Sequence, residues 1–169
     1  MRRVVVGLLG AFALMCVAVA SGVRYNGTPS FSMGFYLAQH REAQRGDLVF
    51  ITVPDSSIFA MAKERGYLNV AYSPAPRLLK RLVGITGDRV TIDSSGVQVN
   101  GIRLVNSEPL TVDGAGRPLE PFAVKDHFLG TGEVLVMSEY NPDSFDSRYF
   151  GQVPVSAVES VATPVLTWN

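Results

Sequence analysis

A chain of 169 residues has room for one ordinary domain plus a short appendage, and its 15 basic residues equal its 15 acidic ones, so no charge excess points to nucleic acid. The single cysteine, Cys16, excludes an intramolecular disulfide and a cysteine-built zinc site. His40 and His127 stand far apart in no ligand-like spacing, so neither a metal nor a cofactor is expected.

Arg2 and Arg3 precede Val4 to Val23, a run without a charge. At about 1.5 Å per residue this run spans roughly 30 Å, the thickness of a bilayer's hydrocarbon core. The positive-inside rule keeps the arginines cytoplasmic and sends the rest across. Residues 1–24 are thus expected to form a cytoplasmic tip and single-pass inner-membrane anchor, and residues 25–169 an exported domain on the periplasmic side. The alternative is a cleaved secretory signal, since Ala18-Val19-Ala20 resembles an Ala-x-Ala cleavage site. Both readings export the domain.

Beyond the anchor, Tyr25 to Tyr36 is rich in Gly, Pro, Ser and aromatics and reads as irregular chain. Phe31, Met33, Phe35 and Tyr36 are candidates for contact with membrane lipid or for ordinary packing. Leu48 to Val53 is a β-rich run closed by Pro54. Ser56-Ser57 is placed to cap a short helix that Gly66 ends. Ser73-Pro74-Ala75-Pro76 links to a strand over Arg77 to Val83. Short strands follow at residues 90–92, 97–99 and 102–104, with Asn100-Gly101 a two-residue hairpin signal between the last two. Residues 106–130 carry many Gly, Pro and Asp and read as loops. Strands at Glu133–Met137 and within 153–166 complete a mainly antiparallel β domain with one short helix.

Three blocks carry candidate chemistry: Pro29-Ser30-Phe31-Ser32-Met33, Leu78-Leu79-Lys80-Arg81-Leu82-Val83-Gly84, and Asn141 to Gly151. Strand alternation puts Lys80 on one face with Leu78 and Leu82. Burial between leucines disfavours the ammonium, and a lysine near its ordinary value of about 10.4 is neutral in only roughly one molecule per few thousand at pH 7. A buried lysine is a usable general base; a solvated one snorkels and is not. Ser32 needs an adjacent base to become a nucleophile, and no histidine lies in the other two blocks. A Ser-Lys pair meets that need. In the third block Asp146 and Arg148 can pair in a buried loop with Ser144 bonding the lysine, or the cluster can be a solvated turn.

In order and spacing these blocks resemble the boxes of the type I signal peptidase family, most closely its conjugative-transfer branch, the TraF peptidases. The branch-like stretches are Glu64-Arg65-Gly66-Tyr67-Leu68, Leu78-Leu79-Lys80-Arg81, Gly87-Asp88-Arg89-Val90 and Ser144 to Gly151. The resemblance implies a signal-peptidase-like β fold and a membrane-anchored serine endopeptidase without a cofactor. It assigns Ser32 as nucleophile, Lys80 as general base and Ser30 as an oxyanion-hole hydroxyl. Ser144 would orient the lysine, with Asp146 and Arg148 structural. Where housekeeping members carry Gly-Asp-Asn-Arg, this chain has Ser138-Glu139-Tyr140-Asn141, which leaves Glu139 to pair with Arg81 but removes an arginine. The implied partners are a pilin precursor, with head-to-tail cyclisation as one outcome, or a preprotein bearing a signal peptide. Alternatives are a housekeeping signal peptidase and a non-enzymatic exported β domain of a secretion apparatus.

Overall fold

The first strands form where irregular chain is expected. In the computed structural model, which describes residues 20–68 and 76–169, β1 (Val23–Asn26) and β2 (Met33–Gln39) run antiparallel. Val23 lies opposite Leu37 and Asn26 opposite Gly34. The missed signal is the period of two in β2: Gly34, Tyr36 and Ala38 are buried while Phe35 and Gln39 are exposed. The turn residues that suggested irregularity belong to the loop at 27–32. Of the aromatics considered for lipid contact, Phe31 and Tyr36 are buried with Phe50 and Leu79. Phe35 stays exposed beside the rings of Tyr25 and Trp168.

The expected membrane helix falls almost wholly outside the described residues, as do Ser73, Pro74 and Ala75 of the linker. Among the described residues no helix is long and apolar enough to cross a membrane.

β3 (Leu48–Thr52) and helix α1 (Ser57–Glu64) follow as anticipated. Ser56 occupies the helix N-cap without a side-chain cap bond, and Gly66 N–H closes the far end on Lys63 O at 3.1 Å. β4 (Arg77–Gly84), β5 (Arg89–Asp93), β6 (Gly96–Val99) and β7 (Ile102–Arg103) match the sequence pattern. The β6–β7 turn places Asn100 at φ 53° and Gly101 at φ 80°, as the tight hairpin requires. β8 (Val124–Phe128) is a correction to the loop expected over 106–130: it pairs with β5, although Lys125-Asp126-His127 show no apolar alternation. The ladder to β5, rather than its own pattern, holds it in the sheet, with an irregularity at Asp126, whose φ is 51°. β9 (Glu133–Met137) is nearly all buried. A second short helix, α2 (Ser147–Phe150), corrects the expectation of one. It forms because the Asp146 side chain caps it, accepting from Arg148 N–H. β10 (Val153–Pro154), a single 3-10 turn and β11 (Val158–Trp168) finish the chain.

The strands make a seven-stranded sheet in the order β1-β2-β11-β3-β4-β9-β10 and a four-stranded sheet, β7-β6-β5-β8, all neighbours antiparallel. β4 is therefore interior, with Lys80 opposite Val49 of β3 and Arg81 opposite Met137 of β9. Leu78 and Leu82 enter the main core with Val49, Ile51, Phe59, Val136 and Phe145, while Leu79 enters the smaller cluster around Phe31. The alternation read from the sequence thus holds, and both faces of the strand are covered.

At Gly34 two strands meet with no room for a side chain. The residue has φ +140°, and a Cβ there would sit 2.2 Å from Leu166 O, beside the register shift of β11 between Pro164 and Leu166. Gly34→Ala is expected to cost about 3 kcal/mol or more in urea unfolding. Gly46→Ala, at φ +94° in open space, is expected to cost only about 1 kcal/mol.

Candidate active site

Lys80 is the centre of a polar group set inside apolar walls. It is 1% exposed, and its Nζ donates to Ser30 Oγ at 2.8 Å and to Ser144 Oγ at 2.7 Å. The two serine oxygens are 3.5 Å apart, so the amine and both hydroxyls converge on one spot. Burial pushes the amine down from its ordinary value to about 8; the nearby Asp146 carboxylate opposes this and the Arg148 guanidinium assists it. At pH 7 roughly one molecule in ten then carries the neutral base, against one in thousands for a solvated lysine.

The expected contact between Lys80 and Ser32 is not formed. Ser32 Oγ instead donates to Asn169 Oδ1 at 2.9 Å, which also accepts from Tyr140 OH at 2.8 Å. The residue that meets the lysine is Ser30, from the loop between β1 and β2. The sequence offers both, because Thr28-Pro29-Ser30 and Ser30-Phe31-Ser32 repeat one spacing of a hydroxyl residue two places before a serine. Read in the earlier frame, Thr28 takes the position that Ser30 held in the later one. Its hydroxyl donates to Asn26 Oδ1 at 2.9 Å.

Asp146 and Arg148 form the buried pair considered from the sequence. Both side chains are fully buried, with Arg148 Nε 2.8 Å from Asp146 Oδ1 and Nη2 2.8 Å from Oδ2. Asp146 also accepts from Ser138 N–H at 3.0 Å. The remaining guanidinium hydrogens bind carbonyls of Asn106, Pro142 and Ser144 at 3.1, 2.5 and 3.0 Å. This satisfaction of both ions is what makes their burial tolerable. Arg81 Nε donates to Glu139 Oε1, Nη1 reaches Gly46 O at 2.7 Å, and the guanidinium lies 5.5 Å from the Phe31 ring centre. Arg81 and Glu139 thus meet each other but touch neither Lys80 nor Ser30 directly.

A cavity of about 720 Å³ opens beside this group. Thr28, Ser30 and Ser144 contribute its polar wall, and Leu68, Leu119 and Tyr149 part of its apolar one. That is within the volume range of ligand-binding clefts. Among the described residues no group of His, Cys, Asp and Glu is placed to hold a metal ion.

The family model described as "Signal peptidase, peptidase S26" matches residues 1–168. The chain belongs to the S26 signal peptidase family. Within it, the chain is homologous to the TraF branch. A plasmid transfer protein TraF of Escherichia coli is 38% identical over 169 residues, covering 99% of this chain and 96% of that protein. A conjugal transfer protein TraF of Agrobacterium tumefaciens is 36% identical over 180 residues, covering 99% and 98%. A crystal structure of a signal peptidase I from Enterococcus faecalis is 26% identical, covering 73% of this chain and 98% of that one. Its TM-score of 0.41 is too low to carry geometry across.

The depressed amine in this S26 peptidase has a measurable cost. Its value is about 8 in the folded chain and near 10.5 when exposed, so the unfolded state binds more protons between those pH values. The penalty is complete below about pH 8 and fades as pH rises towards 10.5. Lys80→Met is therefore expected to be more stable than the parent at pH 6, by up to about 3 kcal/mol in urea unfolding. The advantage should shrink at pH 10.

Proposed function

We propose that this chain is a serine endopeptidase in which Ser30 is the nucleophile and Lys80 the general base. The observation that carries the reading is the 2.8 Å contact between Lys80 Nζ and Ser30 Oγ, with the amine buried and poised near pH 8. Neutral Lys80 takes the Ser30 proton as Oγ attacks the scissile carbonyl, and the tetrahedral oxyanion forms. Collapse breaks the C–N bond, and the lysine proton passes to the leaving amine. A second nucleophile, water or an amine, then attacks the Ser30 ester, giving its proton back through Lys80 and freeing the serine. Ser144 holds the amine on line, and the Asp146–Arg148 pair holds Ser144. Ser32 moves from nucleophile to a bracing residue at the edge of the site.

The substrate reading is a precursor protein exported during conjugative transfer, and specifically pilin maturation, with cyclisation when the second nucleophile is the precursor's own amino terminus. The TraF-named relatives and the S26 family support the branch. Residues 1–24 would anchor the enzyme in the inner membrane, with residues 25–169 working at its periplasmic face beside membrane lipid.

Processing of a co-expressed pilin precursor tests the assignment. Ser30→Ala and Lys80→Met are expected to lose about a thousandfold or more in rate, and Ser32→Ala less than about tenfold. The reverse order of the two serine variants would return the nucleophile to Ser32, and full processing by Ser30→Ala, Ser32→Ala and Lys80→Met alike would make the domain non-enzymatic. Broad cleavage of generic Ala-x-Ala peptides would favour a housekeeping role. Because the base must be neutral, kcat/KM should rise with pH through a midpoint near 8.

A further inference from the structure

The loop that bears Ser30 is held entirely by side chains. Every carbonyl oxygen from Thr28 to Ser32 accepts a hydrogen bond from one. Asn26 Nδ2 reaches Thr28 O at 3.0 Å, Phe31 O at 3.3 Å and Ser32 O at 3.2 Å. Asn141 Nδ2 takes Pro29 O at 3.1 Å, Ser138 Oγ takes Ser30 O, and Tyr36 OH adds a 2.6 Å bond to Ser32 O. Asn26 Oδ1 also accepts from Thr28 N–H at 3.3 Å and from its hydroxyl. One carboxamide, 5% exposed at the end of β1, thus engages both sides of the loop.

We infer that Asn26 is a positioning residue of the acyl-transfer site, locking the loop so that Ser30 presents both its Oγ and its backbone N–H to the reacting carbonyl. This rests on the reading of Ser30 as nucleophile. The reason lies in peptide geometry. In a trans peptide the C=O and the next N–H point to opposite sides, so fixing the carbonyls of a loop fixes its N–H directions. The Ser30 N–H lies opposite the Pro29 carbonyl that Asn141 holds, and it makes no hydrogen bond among the described residues. It is left free for the oxyanion, and a donor held in place beforehand needs no reorganisation when charge develops. Asn26 suits the task because its amide is both donor and acceptor; its two hydrogens are shared among three carbonyls.

The test is acetylation of Ser30 by p-nitrophenyl acetate, using the full chain in detergent micelles and reading the site by mass spectrometry. The parent is expected to be acetylated at Ser30 and Ser30→Ala not. Asn26→Asp keeps shape and acceptor but removes the donor. Its limiting acetylation rate is expected to fall about tenfold to a hundredfold with half-saturation unchanged. The pH midpoint set by Lys80 should stay in place, and the deficit should narrow at low pH, where the installed carboxyl regains a proton to donate. Asn141→Ala, a partly exposed change that leaves Asn26 alone, should lower the same rate by a smaller factor and carries the test if Asn26→Asp does not fold. Rates within about twofold of the parent for Asn26→Asp, or for Asn141→Ala where only that variant folds, overturn the positioning role while leaving Ser30 as nucleophile. Failure of the parent to acetylate at Ser30 removes the acyl-transfer reading and this inference with it.

Discussion

Removing the Lys80 amine from water is the constraint on which the site depends. Desolvation alone would leave a buried polar group without partners, a state proteins avoid. The two serine hydroxyls supply those partners without adding charge, so the amine is both satisfied and easy to deprotonate. β4 makes this possible because it runs in the sheet interior between β3 and β9, with core on both faces. An edge strand would let the long side chain escape to solvent.

The neighbouring ion pair has to leave that balance intact. Asp146 alone would draw the lysine back to its charged form, and Arg148 alone would repel it. Together they oppose each other, and burial remains the largest influence on the amine. The pair instead spends its hydrogen bonds on backbone, tying the loop at 106–108 and the Ser144 turn to one guanidinium. A buried salt bridge contributes little net stability when compared with apolar packing, but here it fixes the geometry of segments that have no ladder of their own.

Much of this was readable before the fold was known. Alternation in Leu78-Leu79-Lys80-Arg81-Leu82 placed the lysine on an apolar face, and the Asn100-Gly101 hairpin followed from backbone sterics. What escaped was whatever depended on long-range pairing. β8 has no pattern of its own, β1 and β2 were hidden by the turn residues between them, and α2 exists through a cap. The choice between Ser30 and Ser32 was undecidable from spacing, since both serines follow a hydroxyl residue by two. Only the curvature of a loop closed by Asn26 separates them. Asn26 carries no signal of its role in the sequence, because an asparagine before a glycine usually marks nothing more than a turn.

β11 lies between β2 and β3, although more than a hundred residues of chain separate it from either. During synthesis the strands that carry the serine loop and the lysine's neighbour therefore emerge early but cannot be joined until residues 158–168 follow them. The sheet closes late, around a strand of high sequence separation, which favours slow, all-at-once assembly over stepwise growth. A site built this way stays incomplete on a nascent chain and gains its geometry only once the surrounding domain is finished.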